Sequence, residues 1–166
     1  DFNVPNFLSV PEPLIQKEFS RIMSLKDGSK KMSKSDPSDL SRINLTDDKD
    51  QISNKIKKAK TDALPMPSNQ QGLPERPEAE NLLGIYSSLT NQKLVSSIDE
   101  FSGKNFSEFK EKLAEVLIEK IFPISKDIKK LLDDQKYLDD ILLEGSKKAN
   151  VIASKKINEI KNLVGF

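Results

Sequence analysis

Apolar residues recur at helical spacing through the second half of the chain. From Ser107 onward, Phe109, Leu113, Val116, Leu117 and Ile121 lie one to four residues apart, with Phe106 just before them. Pro123 interrupts this run, but Ile124, Ile128, Leu131 and Leu132 carry it on, so one kinked helix or two nearly collinear helices are expected. A last stripe starts at Tyr137 and runs through Leu138, Ile141, Leu142, Gly145, Ala149, Ile152, Ala153, Ile157 and Ile160, until Gly165 ends it. Gly145, Ala149 and Ala153 share one line, which would let a neighbouring helix approach closely. Shorter patterns predict helices over 78–89, around Leu82, Leu83, Ile85, Tyr86 and Leu89, and over 91–97, with a break at Gly103. Each stripe covers about a third of its helix, the pattern of an antiparallel bundle.

Upstream the pattern changes. Pro65, Pro67, Gly72, Pro74 and Pro77 make residues 61–78 a semi-rigid linker that wraps a surface. Before it, Ile52, Ile56 and Ala59 predict an amphipathic helix that starts at Thr46, capped by Thr46 or Asp47. Lys55, Lys57, Lys58 and Lys60 crowd its C-terminal turn, where cations suit the helix dipole and either water solvates them or they also touch the phosphates of an RNA partner. Residues 1–19 carry three prolines, which disfavour a long helix, so Phe7-Leu8 and Leu14-Ile15 read as extended segments leading into a short strand over 20–25.

Between that strand and the first helix lies Asp27-Gly28-Ser29-Lys30-Lys31-Met32-Ser33-Lys34-Ser35-Asp36-Pro37. Asp27-Gly28 is a turn signal, and Asp36 with Pro37 reads as a helix start. The segment is too polar for a core and reads as an exposed loop. Lysine ammonium groups on flexible stems, with hydroxyls and loop N–H groups beside them, suit a phosphate. A solvated charged loop is the alternative for a lysine pair taken alone.

Charge adds to this. Lys and Arg number 27 against 26 Asp and Glu, yet residues 21–60 hold eleven basic and six acidic residues. The basic excess surrounds the lysine loop and favours a phosphate-bearing partner. With no cysteine and no histidine, disulfides, thiolate sites and imidazole ligands are excluded, and no metal site is expected. No apolar run approaches the ~20 residues that span a bilayer, so no membrane association is expected and the cytoplasm is the default location.

Lys31 to Ser35 spell KMSKS, which resembles the signature loop of class I aminoacyl-tRNA synthetases. Arg21-Ile22-Met23-Ser24-Leu25, Arg42-Ile43-Asn44-Leu45, Lys55 to Asp62, Arg76 to Leu82 with Ile85-Tyr86, and the ending Val164-Gly165-Phe166 are similar to bacterial-type tryptophanyl-tRNA synthetases. The resemblance covers essentially the whole chain and implies its fold: mainly α, a C-terminal helical bundle preceded by the end of a Rossmann-like α/β catalytic domain. Residues 1–45 would be the remnant of the catalytic domain and residues 46–166 the helical, anticodon-binding type of domain.

The resemblance also implies the chemistry. Tryptophan is activated by ATP, with Mg²⁺ accompanying the nucleotide, and passed to tRNA(Trp) by an enzyme that is a homodimer at full length. Lys31 and Lys34 would be catalytic, meeting the charge that grows on the departing phosphates. Ile22, Lys31, Met32, Ser33, Lys34 and Ser35 would bind ATP, Ile22 through its backbone and Met32 as an anchor against the protein. On the last helix, Lys147, Lys148, Lys155 and Lys156 lie opposite the apolar stripe. They are either a solvated face or a contact to tRNA phosphates. The other signature of the class, HIGH, needs histidine, so it lies outside this chain, and the fragment alone is expected to be inactive. A non-catalytic helical RNA-binding module and the tyrosine-specific sister enzyme are the alternatives.

Overall fold

The computed structural model describes residues 4–5, 7–15 and 19–165. The chain divides into two compact units, Ile15–Ile128 and Asp1–Leu14 with Lys129–Phe166. The expected boundary between residues 45 and 46 falls inside the larger unit.

In the larger unit, strands β1 (Met23–Ser24) and β2 (Asp27–Lys31) form an antiparallel hairpin. Met23 lies opposite Lys31 and Ser24 opposite Asp27, so the register shifts between Met23 and Ser24 and Gly28, Ser29 and Lys30 bow out as a bulge. The turn falls at Leu25-Lys26, before the expected Asp27-Gly28, and Lys30 and Lys31 belong to a strand rather than to the loop. The expected strand over 20–25 is reduced to two residues.

No α-helix starts at Asp36-Pro37. The Asp36 carboxylate instead accepts from the Ser38 N–H at 2.8 Å, and a 3₁₀ turn follows at Asp39–Ser41. Helix α1 (Lys49–Lys57) starts later than Thr46, because Asp48 and Gln51 form a reciprocal capping box. Its stripe is as expected, with Ile52, Ile56 and Ala59 buried.

The linker wraps a surface, as its prolines predict. Met66 and Leu73 are buried, Met66 exchanges backbone hydrogen bonds with Lys104 and Gly103, and Arg76 grips Asp62 with two hydrogen bonds of 2.8 Å. That guanidinium holds the Asp62 carboxyl below its ordinary value.

Helix α2 (Pro77–Thr90) has proline in its first turn and a left-handed Asn91 as its C-cap. Helix α3 (Leu94–Phe101) starts three residues later than expected and continues to the break at Gly103. Helix α4 (Phe106–Asp133) runs unbroken past Pro123. The core joins Leu82, Leu83 and Tyr86 of α2, Ile98 and Phe101 of α3, and Phe109, Leu113 and Leu117 of α4 to the α1 stripe. Tyr86, Phe101 and Phe109 meet edge to face with centroids 4.8 to 6.0 Å apart.

In the smaller unit, helix α5 (Gln135–Val164) ends at left-handed Gly165, as expected. It buries none of its residues. Within this unit, among the described residues, a side chain added at Gly145 would meet nothing, and no second helix lies along Gly145, Ala149 and Ala153 as expected. Nor do Phe7-Leu8 and Leu14-Ile15 form strands. Phe7 sits in a turn back to Val4, and Leu14 and Ile15 are exposed, with no strand beside them among the described residues to take their backbone groups.

Candidate functional site

The lysine segment starts where β2 ends. Met32 donates its backbone N–H to the Ile22 carbonyl at 2.9 Å, and its side chain packs on the core, as expected of an anchor. Past it the chain turns sharply. The Ser33 Oγ accepts from the Ser35 N–H and the Ser33 carbonyl from the Asp36 N–H. Ser33, Lys34 and Ser35 are exposed, as is Lys31. Among the described residues, neither Lys31 nor Lys34 forms an ion pair, whereas Lys30 pairs with Asp27. Two unpaired ammonium groups are thus presented by one short segment together with Ser33 and Ser35.

The hairpin that carries them is seated on α2. The Asn81 side-chain amide bonds both backbone groups of Met23 and stands where a neighbouring strand would be. Gly28 lies so close to the start of α2 that a Cβ there would come within 2.6 Å of Pro77 C and Glu78 N. The sequence marks Asp27-Gly28 as a turn; the fold uses Gly28 for close approach instead. Beside it, Lys60 pairs with Glu78 at 2.7 Å, and this ammonium, with the Gly28 N–H adding less, holds the Glu78 carboxyl below its ordinary value. Within the bulge Asp27 accepts from the Ser29 hydroxyl at 2.6 Å and from its N–H at 3.1 Å. These bonds, with Lys30 adding less, bring the Asp27 carboxyl down to about 2.

A second network lies under the far end of the segment. Arg42 Nη1 donates to the Asp36 carbonyl at 2.9 Å and the Ser38 carbonyl at 3.3 Å. Lys55, read from the sequence as part of a solvated basic turn, is buried and bridges Asp47 and Asp39 at 2.7 Å each. Lys60 is likewise engaged. Lys57 and Lys58 stay exposed, as expected.

Lys147, Lys148, Lys155 and Lys156 all project from α5 and are exposed. Lys148 pairs with Glu144 and Lys156 with Glu159, each at 2.6 Å, and Lys156 also lies over the Phe7 ring at 4.5 Å. Lys147 and Lys155 form no ion pair among the described residues. They belong to the smaller unit, and the Lys31–Ser35 segment to the larger.

A cleft of about 580 Å³ beside the hairpin is lined by Arg21, Met23, Gly28, Asn81, Lys93 and Leu94 among others, but by none of residues 31–35. Lys31, Ser33, Lys34 and Ser35 lie outside that cleft and are exposed. Among the described residues no three carboxylates converge to hold a metal ion, and no helix is long and apolar enough to cross a membrane.

The larger unit is thus a helical domain with a seated hairpin that presents paired lysines. The fold has a solved counterpart in the crystal structure of tryptophanyl-tRNA synthetase from Mycoplasma pneumoniae, with a TM-score of 0.74 at 24% identity over 91% of this chain and 45% of that one. The family model of class I tRNA synthetases (W and Y) matches residues 2–122, and the chain belongs to that family. It is 50% identical over its whole length to the tryptophan–tRNA ligase of Agrobacterium fabrum, covering 47% of that protein. Over 159 residues it is 51% identical to that of Rickettsia conorii, covering 48%. The chain spans about half the length of these relatives.

Proposed function

We propose that this chain is the C-terminal half of a tryptophan–tRNA ligase and carries the part of its active site that meets the ATP phosphates. The observation that carries the reading is the pair Lys31 and Lys34, exposed and without carboxylate partners among the described residues on a segment held at both ends. The tryptophan carboxylate attacks the α-phosphate of ATP, forming tryptophanyl-adenylate and releasing pyrophosphate. Negative charge grows on the departing β- and γ-phosphates, and cations positioned to meet it lower the barrier. Lys34 has the leading role and Lys31 supports it. Ser33 and Ser35 add hydrogen bonds or hold the turn, and the Ile22 backbone lies against the adenine. Mg²⁺ enters with ATP on phosphate oxygens and water. Residues 1–45 act as the remnant of the catalytic domain and residues 46–166 as the tRNA-binding domain.

The tryptophanyl group then passes to tRNA(Trp). Lys147, Lys148, Lys155 and Lys156 hold the RNA backbone by charge. Lys147 and Lys155, free of ion pairs among the described residues, contribute most. The full-length enzyme works in the cytoplasm as a homodimer.

Lys34→Ala in the full-length enzyme should slow tryptophan-dependent ATP–pyrophosphate exchange ~10²–10³-fold, the usual cost of losing one transition-state donor, with a smaller effect on ATP affinity. Exchange near the wild-type rate would refute the role. Exchange driven by tyrosine instead of tryptophan would assign the sister specificity.

A further inference from the structure

The lysine segment has two feet, and each is held differently. Its first foot is the hairpin, through the Met32 N–H to the Ile22 carbonyl. Its second foot, Asp36 to Ser38, is held at Ser38 by the 3₁₀ turn, whose Ser41 Oγ and N–H donate to the Ser38 carbonyl at 2.7 and 3.1 Å. At Asp36 it is held by one guanidinium, with Arg42 Nη1 donating to the Asp36 carbonyl at 2.9 Å and reaching the Ser38 carbonyl at 3.3 Å. Arg42 is itself aimed from behind. Its Nε donates to the Asn44 Oδ1 at 3.1 Å, and its Nη2 lies 3.3 Å from Asp39. Asn44 Nδ2 donates to Asp39 at 2.9 Å, and the Asn44 N–H donates to Asp47 at 2.8 Å. Lys55, from α1, closes the set by bonding both carboxylates.

We infer that Arg42, aimed by the Asp39–Asn44–Asp47–Lys55 network, is a positioning residue for Lys34. The inference rests on the proposed phosphate-facing role of that lysine. Arg42 grips backbone carbonyls and neither lysine, so it acts on where the segment sits. A planar fork with several donors is the side chain suited to two carbonyls, an amide oxygen and a carboxylate at once. With the Asp36 carbonyl released, two residues from Lys34, that lysine would sample positions away from the departing phosphates. Such a loss of preorganisation lowers the rate of the chemical step more than it weakens ATP binding.

The test is a double-mutant cycle in the full-length enzyme, read by tryptophan-dependent ATP–pyrophosphate exchange. Arg42→Ala should lower kcat ~10–100-fold, the scale of a misplaced catalytic group, with KM for ATP changed less than ~3-fold. Once Lys34 is alanine, adding Arg42→Ala should cost less than ~3-fold more, because a positioning residue has nothing left to position. Asp39→Asn, at a side chain that is more than half exposed, keeps the shape and removes the charge. It should lower kcat ~3–10-fold and be just as non-additive with Lys34→Ala, so it serves if Arg42→Ala does not fold. Multiplying losses in the double variants, or a rise in KM with kcat intact, would overturn the inference while leaving the role of Lys34 standing. If Lys34→Ala alone has no effect, the functional reading falls, and the inference with it.

Discussion

Asn81 bonds both backbone groups of Met23, its Oδ1 accepting from the N–H at 2.8 Å and its Nδ2 donating to the carbonyl at 2.9 Å. A side-chain amide has the same donor and acceptor as a peptide group, so one buried residue on α2 does for β1 what a neighbouring strand would do. Asn81→Ala leaves both groups of Met23 without partners. At ~1–3 kcal/mol for each orphaned buried group, the loss is ~2–4 kcal/mol, allowing for some access of water. Urea unfolding should report it, and hydrogen exchange at the Met23 amide should rise ahead of exchange in α3. Unchanged Met23 protection would mean that the hairpin is held elsewhere.

Gly28→Ala places a methyl group 2.6 Å from the backbone of Pro77 and Glu78. Backbone cannot rotate aside as a side chain can, so the bulge must lift off α2. Overpacking of this kind costs ~1–3 kcal/mol. In the full-length enzyme the displaced hairpin should slow adenylate formation at least ~10-fold, since small misplacements of a catalytic group are expensive. A variant that matches wild type in both measurements would show that the contact yields easily.

Lys55→Met removes the cation between two carboxylates, and Asp47 is as buried as Lys55 itself. Removing one partner of a buried pair costs ~3–5 kcal/mol, because the remaining charge is left without compensation. Denaturant unfolding of Lys55→Met should show this loss. Lys58→Met, at an exposed position of the same turn, should change stability by less than ~0.5 kcal/mol, as surface substitutions usually do. Equal effects would return Lys55 to the solvated face.

Asp27 titrates at about 2 because the Ser29 hydroxyl and N–H bond its carboxylate, with Lys30 adding less. A depressed carboxyl stabilises the fold above its unfolded value and loses that contribution as pH falls through its folded value. The bulge should therefore be intact above pH 3.8 and loosen between 3.8 and about 2. Carboxyl-carbon NMR should find the midpoint near 2, and Ser29→Ala should raise it. A midpoint at the ordinary aspartate value in the wild-type chain would show that the bulge hydrogen bonds do not persist in solution.

The helices were legible because each is written locally. Ile52, Ile56 and Ala59, or Phe109, Leu113 and Leu117, repeat with the helical period, and burial follows the period. Gly103 and Gly165 mark ends because few other residues adopt positive φ without strain. Pro123 was harder to read, since a proline disfavours a helix by an amount that packing on either side can outweigh, and α4 runs through it. The lysine segment was legible as text, through five consecutive residues, without any knowledge of what holds it.

What holds the segment was decided only in three dimensions. Asn81 meets Met23 across 58 residues of chain, and Gly28 meets Pro77 across a linker. No local pattern encodes such pairs. Lys55 has the composition of a solvated turn, and only the fold brings Asp39 and Asp47 to it and takes water away. The sequence by itself determined the helical periods and the glycine ends at Gly103 and Gly165, because these depend on neighbours a few residues apart. Tertiary structure decided which polar groups are buried and paired, because that depends on which distant segments meet and on how much water they exclude.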